Sequence, residues 1–299
     1  MRHLAIVLTI AFVSFTPARS QQERNDTARQ DVVPIYKVTV ERRSLRALNY
    51  GHRSEPTKID FEGTVLLPKA QGEATIAGKG GAVEIDCKFE KLEEPARFGS
   101  EYLTYVLWAI TPDGRPVNLG EVLTDRSGKS KLKVTTSFQT FGLIVTAEPY
   151  FAVTQPGNIV VLENVPRPDT AGKVEEVAAK YELLPRTEGA LAVRTVEVQQ
   201  AASTGAKAIP RDQYEALLAL YQAQNALQIA VSQGADRFAA DTLKEAEQLY
   251  RDAQALHSKK RGDKRVVMLA RAAAQKAEDA RTIARKQDRQ PESVSRSSR

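Results

Sequence analysis

Val83-Glu84-Ile85-Asp86-Cys87-Lys88-Phe89-Glu90 alternates apolar and charged residues without a fault. Successive side chains of an extended chain point to opposite faces. Val83, Ile85, Cys87 and Phe89 therefore share one face, and Glu84, Asp86, Lys88 and Glu90 the other. One dry face and one wet face mark an antiparallel sheet. The same alternation places Cys87 in the core, as a small buried hydrophobe and not a reactive thiol.

Further strands are predicted on both sides of this one. Upstream, Ile35 to Val40 is rich in β-formers and Lys58 to Glu62 alternates. Gly78-Lys79-Gly80-Gly81 reads as a hairpin turn between strands. Downstream, Tyr102 to Ile110 is apolar or aromatic on both faces, which predicts the central strand of the sheet. Pro112-Asp113-Gly114 supplies turn chemistry. Strands are then predicted over Val117 to Val122, Lys131 to Thr135, Phe141 to Ala147 and Asn158 to Leu162. Short strands at roughly ten-residue spacing, separated by Gly, Pro and Asp, predict an Ig-like antiparallel β-sandwich over 34–165.

The regime changes at Pro210, a residue suited to the first turn of a helix; Asp212 and Glu215 sit favourably near the positive end of its dipole. A first helix is predicted from Arg211 to the break at Gly234. A second runs from about Ala239 to Lys260, Gly262-Asp263 interrupts, and a third runs from about Lys264 to Lys286. Leu243, Ala246, Leu249 or Tyr250, Ala253 and Leu256 recur at helical spacing in the second. Val266, Leu269, Ala273, Ala277, Ala280 and Ala284 do so in the third. Such stripes predict an Ala-rich antiparallel helical hairpin or three-helix domain over 210–287, able to self-associate. Residues 166–209 are a linker without a clear assignment. Within them, Lys173 to Leu184 fits either a helix or an extended segment. Residues 288–299 read as a disordered basic tail.

Met1-Arg2-His3 is followed by an apolar run from Leu4 to Phe15 and then by Thr16-Pro17-Ala18-Arg19-Ser20. This is the layout of a cleavable secretory signal over 1–20, with cuts after Ala18 or, preferred, after Ser20. The apolar run is too short for a membrane-spanning helix, which needs roughly 20 residues. Residues 21–33 are polar and read as a flexible lead. Cys87 is the only cysteine, so an internal disulfide is excluded and folding rests on core burial. Cys87 is also far from the signal, which excludes acylation as a lipoprotein at a mature N-terminus.

The net charge of +6 is concentrated near the C-terminus: Lys259 to Arg299 holds 13 Lys or Arg against 5 Asp or Glu. A basic end attracts anionic lipid, glycan or nucleic acid. An exported protein does not meet nucleic acid, so lipid or glycan of the envelope is the expected contact. The alternative is a solvated helix face and tail.

Two stretches resemble known families. Tyr105-Val106-Leu107-Trp108-Ala109-Ile110, Asp113-Gly114-Arg115-Pro116-Val117, Leu119-Gly120 and Phe141 to Pro149 resemble the extracytoplasmic domain of anti-sigma-K factors. That resemblance implies an antiparallel β-sandwich. Those proteins carry a sigma-binding segment and a membrane helix ahead of the sandwich; only the signal-like segment stands there in this sequence, so sigma-factor control is not carried over. Gly234-Ala235-Asp236-Arg237-Phe238-Ala239 and Leu243-Lys244-Glu245-Ala246-Glu247, with the break at Gly262-Asp263, resemble the helical family termed domain of unknown function 4398. That resemblance covers about Tyr214 to Ile283 and implies an exported envelope protein of a Gram-negative bacterium. The family often precedes a peptidoglycan-binding domain of the outer-membrane protein A type, whose pattern does not follow here.

No motif for chemistry emerges. His52 and His257 have no His, Cys or carboxylate at metal-ligand spacing. There is no Gly-x-Ser-x-Gly elbow and no phosphate-binding Gly-rich loop. Glu93-Glu94 lack an acid–base partner. Trp108, Tyr102 and Tyr105 are expected to be core aromatics and not a carbohydrate platform. No catalytic, cofactor-binding or metal residue is assigned and no cofactor is expected. The sequence predicts an exported, non-catalytic protein, periplasmic or associated with the outer membrane. It would bind or scaffold another envelope protein or a cell-wall component. The alternatives are an extracytoplasmic sensor of the anti-sigma type and, third, a glycan-acting enzyme.

Overall fold

The computed structural model describes residues 40–50, 55–170, 174–182 and 210–296, with backbone alone for 40–44, 174–182 and 289–296. The signal-like segment, the polar lead and the strand expected at Ile35 to Val40 lie almost wholly outside these residues, as do His52 and 183–209.

The alternating stretch forms strand β4 (Ala82–Glu90), and its apolar face is fully buried as the pattern requires. β3 (Gln71–Lys79) pairs with it through the predicted hairpin. Gly80 and Gly81 both have positive φ, 57° and 85°, the geometry of a type I′ turn whose twist matches that of the strands. The other strands are β1 (Val40–Asn49), β2 (Thr57–Gly63), β5 (Thr104–Ile110), β6 (Pro116–Val122), β7 (Ser130–Thr136), β8 (Thr140–Glu148), β9 (Val160–Pro166) and β10 (Val174–Glu182).

Every pairing among them is antiparallel. The hydrogen-bonded path runs β6-β5-β8-β9-β2-β3-β4-β7, and the β1–β10 pair joins at the start of β8. The path is unbroken: the antiparallel β-domain expected from the sequence is present, without a division into two sheets along its ladder. The strands form one sheet that curls nearly into a barrel. Its two ends come together: a Cβ on Gly120 of β6 would lie 3.6 Å from Val134 of β7.

β5 is buried along its whole length because it has a core on each side. Tyr105, Leu107 and Ala109 point into the near-barrel with Ile59, Phe61, Ile85 and Cys87. Val106, Trp108 and Ile110 point out, into a second core shared with the helices. This accounts for the unbroken apolar run in the sequence.

The helices are α1 (Arg211–Ser232), a single turn α2 (Ala235–Phe238), α3 (Ala240–Lys259) and α4 (Lys264–Arg296). Gly234, with φ of 82°, and Gly262, with φ of 84°, mark the two breaks expected for them. Ala216, Ala219, Ala223, Ala226 and Ala230 of α1 and Ala270, Ala273, Ala277, Ala280 and Ala284 of α4 are buried. Alanine lets the helices approach closely, and each contributes little apolar area, so the bundle depends on many small contacts. The described residues belong to one compact unit spanning Lys37–Arg299. Among them no helix is long and apolar enough to cross a membrane.

Four elements escape the sequence pattern in whole or in part. β1 and β3 carry charges and small residues that hide their alternation. Lys173 to Leu184, ambiguous in sequence, contains β10. That strand pairs with β1 from Val40↔Glu182 to Leu48↔Val174, so a distant partner selects the extended form over the helical one. Finally, α4 continues to Arg296, past the predicted end near Lys286.

Candidate functional site

The seam between the outer face of β5 and β8 and the helices holds the densest polar network described. It starts from Glu148, the last residue of β8, whose side chain is fully buried. Trp108, across the ladder on β5, donates its indole N–H to Thr146 Oγ1 at 2.8 Å. The Thr146 hydroxyl in turn donates to Glu148 Oε1. The backbone N–H of Gly157 donates to the same oxygen at 2.6 Å. The second carboxyl oxygen of Glu148 has no hydrogen-bond partner among the described residues.

Gly157 closes a loop, residues 149–157, that α1 and α4 hold from above. Asn225 of α1 donates to the Pro149 carbonyl at 3.2 Å and to that of Glu101 at 3.1 Å. Gln222, one turn earlier, accepts from the Phe151 N–H at 3.0 Å. Glu278 of α4 accepts from the Tyr150 hydroxyl at 2.6 Å, from the Thr154 N–H at 2.8 Å and from the Thr154 hydroxyl. From below, Asn118 of β6 donates to the Phe151 and Val153 carbonyls. The loop's backbone groups thus find partners in helix side chains that the sheet ladder cannot supply.

Arg281 completes this centre. Its guanidinium donates twice to Glu278, each at 2.6 Å, and also to Thr154 at 2.9 Å and Gln233 at 3.1 Å. Glu278 and Arg281 are 0% and 1% exposed. Burying two charges costs several kcal/mol per ion unless hydrogen bonds satisfy them, as the five bonds to Glu278 do here. Burial alone would raise the Glu278 carboxyl. The Arg281 hydrogen bonds and charge, with Thr154 and Tyr150, outweigh it and hold the group below the usual carboxylate range. Glu148 goes the other way. Burial pushes it up to about 8, against the bonds from Gly157 and Thr146, with the negative Glu278 adding to the rise. The two carboxyls of the seam are therefore pushed in opposite directions, Glu278 towards its ionised form and Glu148 towards its protonated one.

A second centre lies along the same seam. Glu121 of β6 accepts from Thr104 at 2.8 Å, from Gln222 at 2.7 Å and from Arg271 of α4 at 2.5 Å. The Arg271 guanidinium also lies 3.6 Å from the centroid of the Phe151 ring.

No family model matches this sequence, and no curated protein does.

Of the residues weighed in the sequence, Trp108 belongs to the seam and the others lie elsewhere. Cys87 sits in the inner core, its thiol pushed up to about 12 by burial. His257 is half-buried near the end of α3, lowered by burial and by the Arg261 charge. No cluster of His, Cys, Asp or Glu suited to a metal occurs among the described residues. Glu93 pairs with Arg97. Trp108, Tyr102 and Tyr105 are buried, and Tyr105 donates to the Glu93 carbonyl at 2.8 Å. Sequence reasoning missed Glu148, Gln222, Asn225, Glu278 and Arg281. A signal was present: Gln222/Asn225 and Glu278/Arg281 are polar pairs three residues apart, set inside alanine stripes where an exposed face would not fall.

Proposed function

We infer that this chain is an exported, non-catalytic protein of the cell envelope that binds or spaces other envelope components. The near-barrel is its binding module and the alanine-rich helices are a rigid extension of it. The seam is the observation that supports this reading. Glu278, Arg281 and Glu148, the groups that could do acid–base work, are closed to solvent and engaged in fixing loop 149–157 to the helices. Their chemistry is spent on rigidity, which suits a spacer. Export rests on the signal-like segment at 1–20 and agrees with both family resemblances.

Fractionation, N-terminal sequencing and crosslinking in living cells test the proposal. The expected outcome is a mature N-terminus at Arg19 or Gln21, recovery with the envelope, and a specific crosslinked partner. An intact Met1 in a cytoplasmic fraction overturns export. A freely soluble protein without crosslinks overturns the scaffolding role.

A further inference from the structure

The turn between α3 and α4 is densely cationic. Lys259, Lys260, Arg261, Lys264 and Arg265 are all exposed there. Two carboxylates stand near. Asp263 binds Arg265 at 2.7 Å. Asp212, at the start of α1, lies so close to Gly262 that a Cβ there would come within 2.6 Å of its carboxylate. Lys259, Lys260, Arg261 and Lys264 have no ion pair or side-chain hydrogen bond among the described residues. Many cations elsewhere do: Lys133 binds Glu84 at 2.9 Å, Lys88 binds Glu73 at 3.1 Å, and Lys276 binds Glu245 at 2.9 Å.

Local structure does not explain the cluster. Lys259 and Lys260 suit the negative end of α3, but Lys264 and Arg265 occupy the first turn of α4, where the helix dipole favours acids and none is present. The five cations repel one another, Lys264 and Arg265 also oppose the dipole of α4, and of the five only Arg265 is bound to a carboxylate, that of Asp263. One turn on, Met268 is 69% exposed. It follows Lys264 by four residues, so both lie on one helix face.

We propose that this helical turn docks on a membrane surface carrying anionic phospholipid. Lys259, Lys260, Arg261 and Lys264 meet the phosphate headgroups, and Met268 enters the boundary with the acyl chains. Clustered cations beside an exposed apolar side chain suit such a surface. A soluble anionic glycan offers charge but no medium for Met268, which is why lipid is favoured over glycan. The proposal deepens the envelope reading and rests on it for access to a membrane, yet vesicle binding can be measured wherever the protein resides.

Co-sedimentation of the full chain tests it, with vesicles of phosphatidylcholine alone and vesicles containing one-third phosphatidylglycerol. The wild type is expected to prefer the anionic vesicles, and the preference is expected to fall as salt rises. Lys259→Glu with Lys260→Glu should weaken that binding by about twentyfold or more, at about fivefold per lost cation. An unchanged far-UV spectrum verifies folding. Met268→Gln should weaken vesicle binding a few-fold and leave binding to dextran sulfate unaltered. Equal binding to both vesicle types, as the apolar segment Leu4 to Phe15 alone would give, overturns the proposal. So does indifference to the double charge reversal. Tight dextran sulfate binding with no Met268 effect on vesicles overturns it in favour of glycan. Failure of export is read separately, by N-terminal sequencing.

Discussion

Glu278 and Arg281 stand one turn apart on α4 and bind each other through two hydrogen bonds of 2.6 Å, wholly inside the protein. On most helices such a pair faces water and contributes a few tenths of a kcal/mol. Here it is the point at which a helix grips a loop of the sheet.

Removing one partner leaves the other charged and buried. Arg281→Met is expected to destabilise the protein by about 3–5 kcal/mol. Glu278→Leu should do similar harm, since it strips partners from Tyr150, Thr154 and Arg281 together. The double replacement should cost less than the two singles summed, because no unpaired charge remains. Urea titration of the four proteins measures this directly, and simple additivity would show that the pair is not coupled.

The two seam carboxyls give opposite pH dependences. Glu148 is raised from 4.5 to about 8 in the fold, so between those values the folded state holds a proton that the unfolded chain has released. Its contribution is complete below the unfolded value and is lost as pH rises towards 8, at up to about 1.4 kcal/mol per pH unit. Glu278 is lowered, so its contribution is present above the unfolded value and is lost on acidification. Glu148→Gln should flatten the decline between pH 5 and 8 and leave the acid limb intact. Denaturation midpoints across that range check it; an unchanged alkaline slope would refute the assignment to Glu148.

Trp108 is the only tryptophan, and it lies in the seam with its indole N–H on Thr146. Its fluorescence reports the contact between sheet and helices, and far-UV circular dichroism is dominated by the helices. The two signals should lose native character in a single transition. Asn225→Ala, which frees the Pro149 and Glu101 carbonyls, should lower the midpoint of both by the equivalent of about 1–3 kcal/mol. Separate transitions in the wild type would mean that the seam does not couple the two parts.

Cys87 offers a clean kinetic probe. Its thiol is buried among Ile59, Ile85 and Phe89 and raised to about 12. A thiol reagent should therefore modify the native protein only as fast as the near-barrel opens, and mild denaturant should speed the reaction. Rapid stoichiometric labelling in native buffer would place Cys87 outside the core.

The parts of the fold legible in the sequence were those with local causes. The alternation at Val83 to Glu90 predicts β4, glycines predict the Gly80-Gly81 turn and the breaks at Gly234 and Gly262, and alanine spacing predicts the buried faces of α3 and α4. What escaped depends on partners distant in the chain. β10 is extended because β1 lies beside it, well over a hundred residues earlier. The strands form one curled sheet because β8 pairs with β5 along one edge and with β9 and β1 along the other, which periodicity cannot express. The seam was hidden for the same reason. Glu278 and Arg281 look like an ordinary helical ion pair until loop 149–157 is set against them.

The double-sided burial of β5 has a bearing on how such a protein evolves. Val106, Trp108 and Ile110 share their core with residues of α1 and α4. A chain shortened at Pro210 would leave that strip wet, and a gene fusion that transplanted the helices elsewhere would carry away half a core. Neither part is a portable cassette. The two are expected to be inherited together, with insertions and losses confined to turns such as the one before α4.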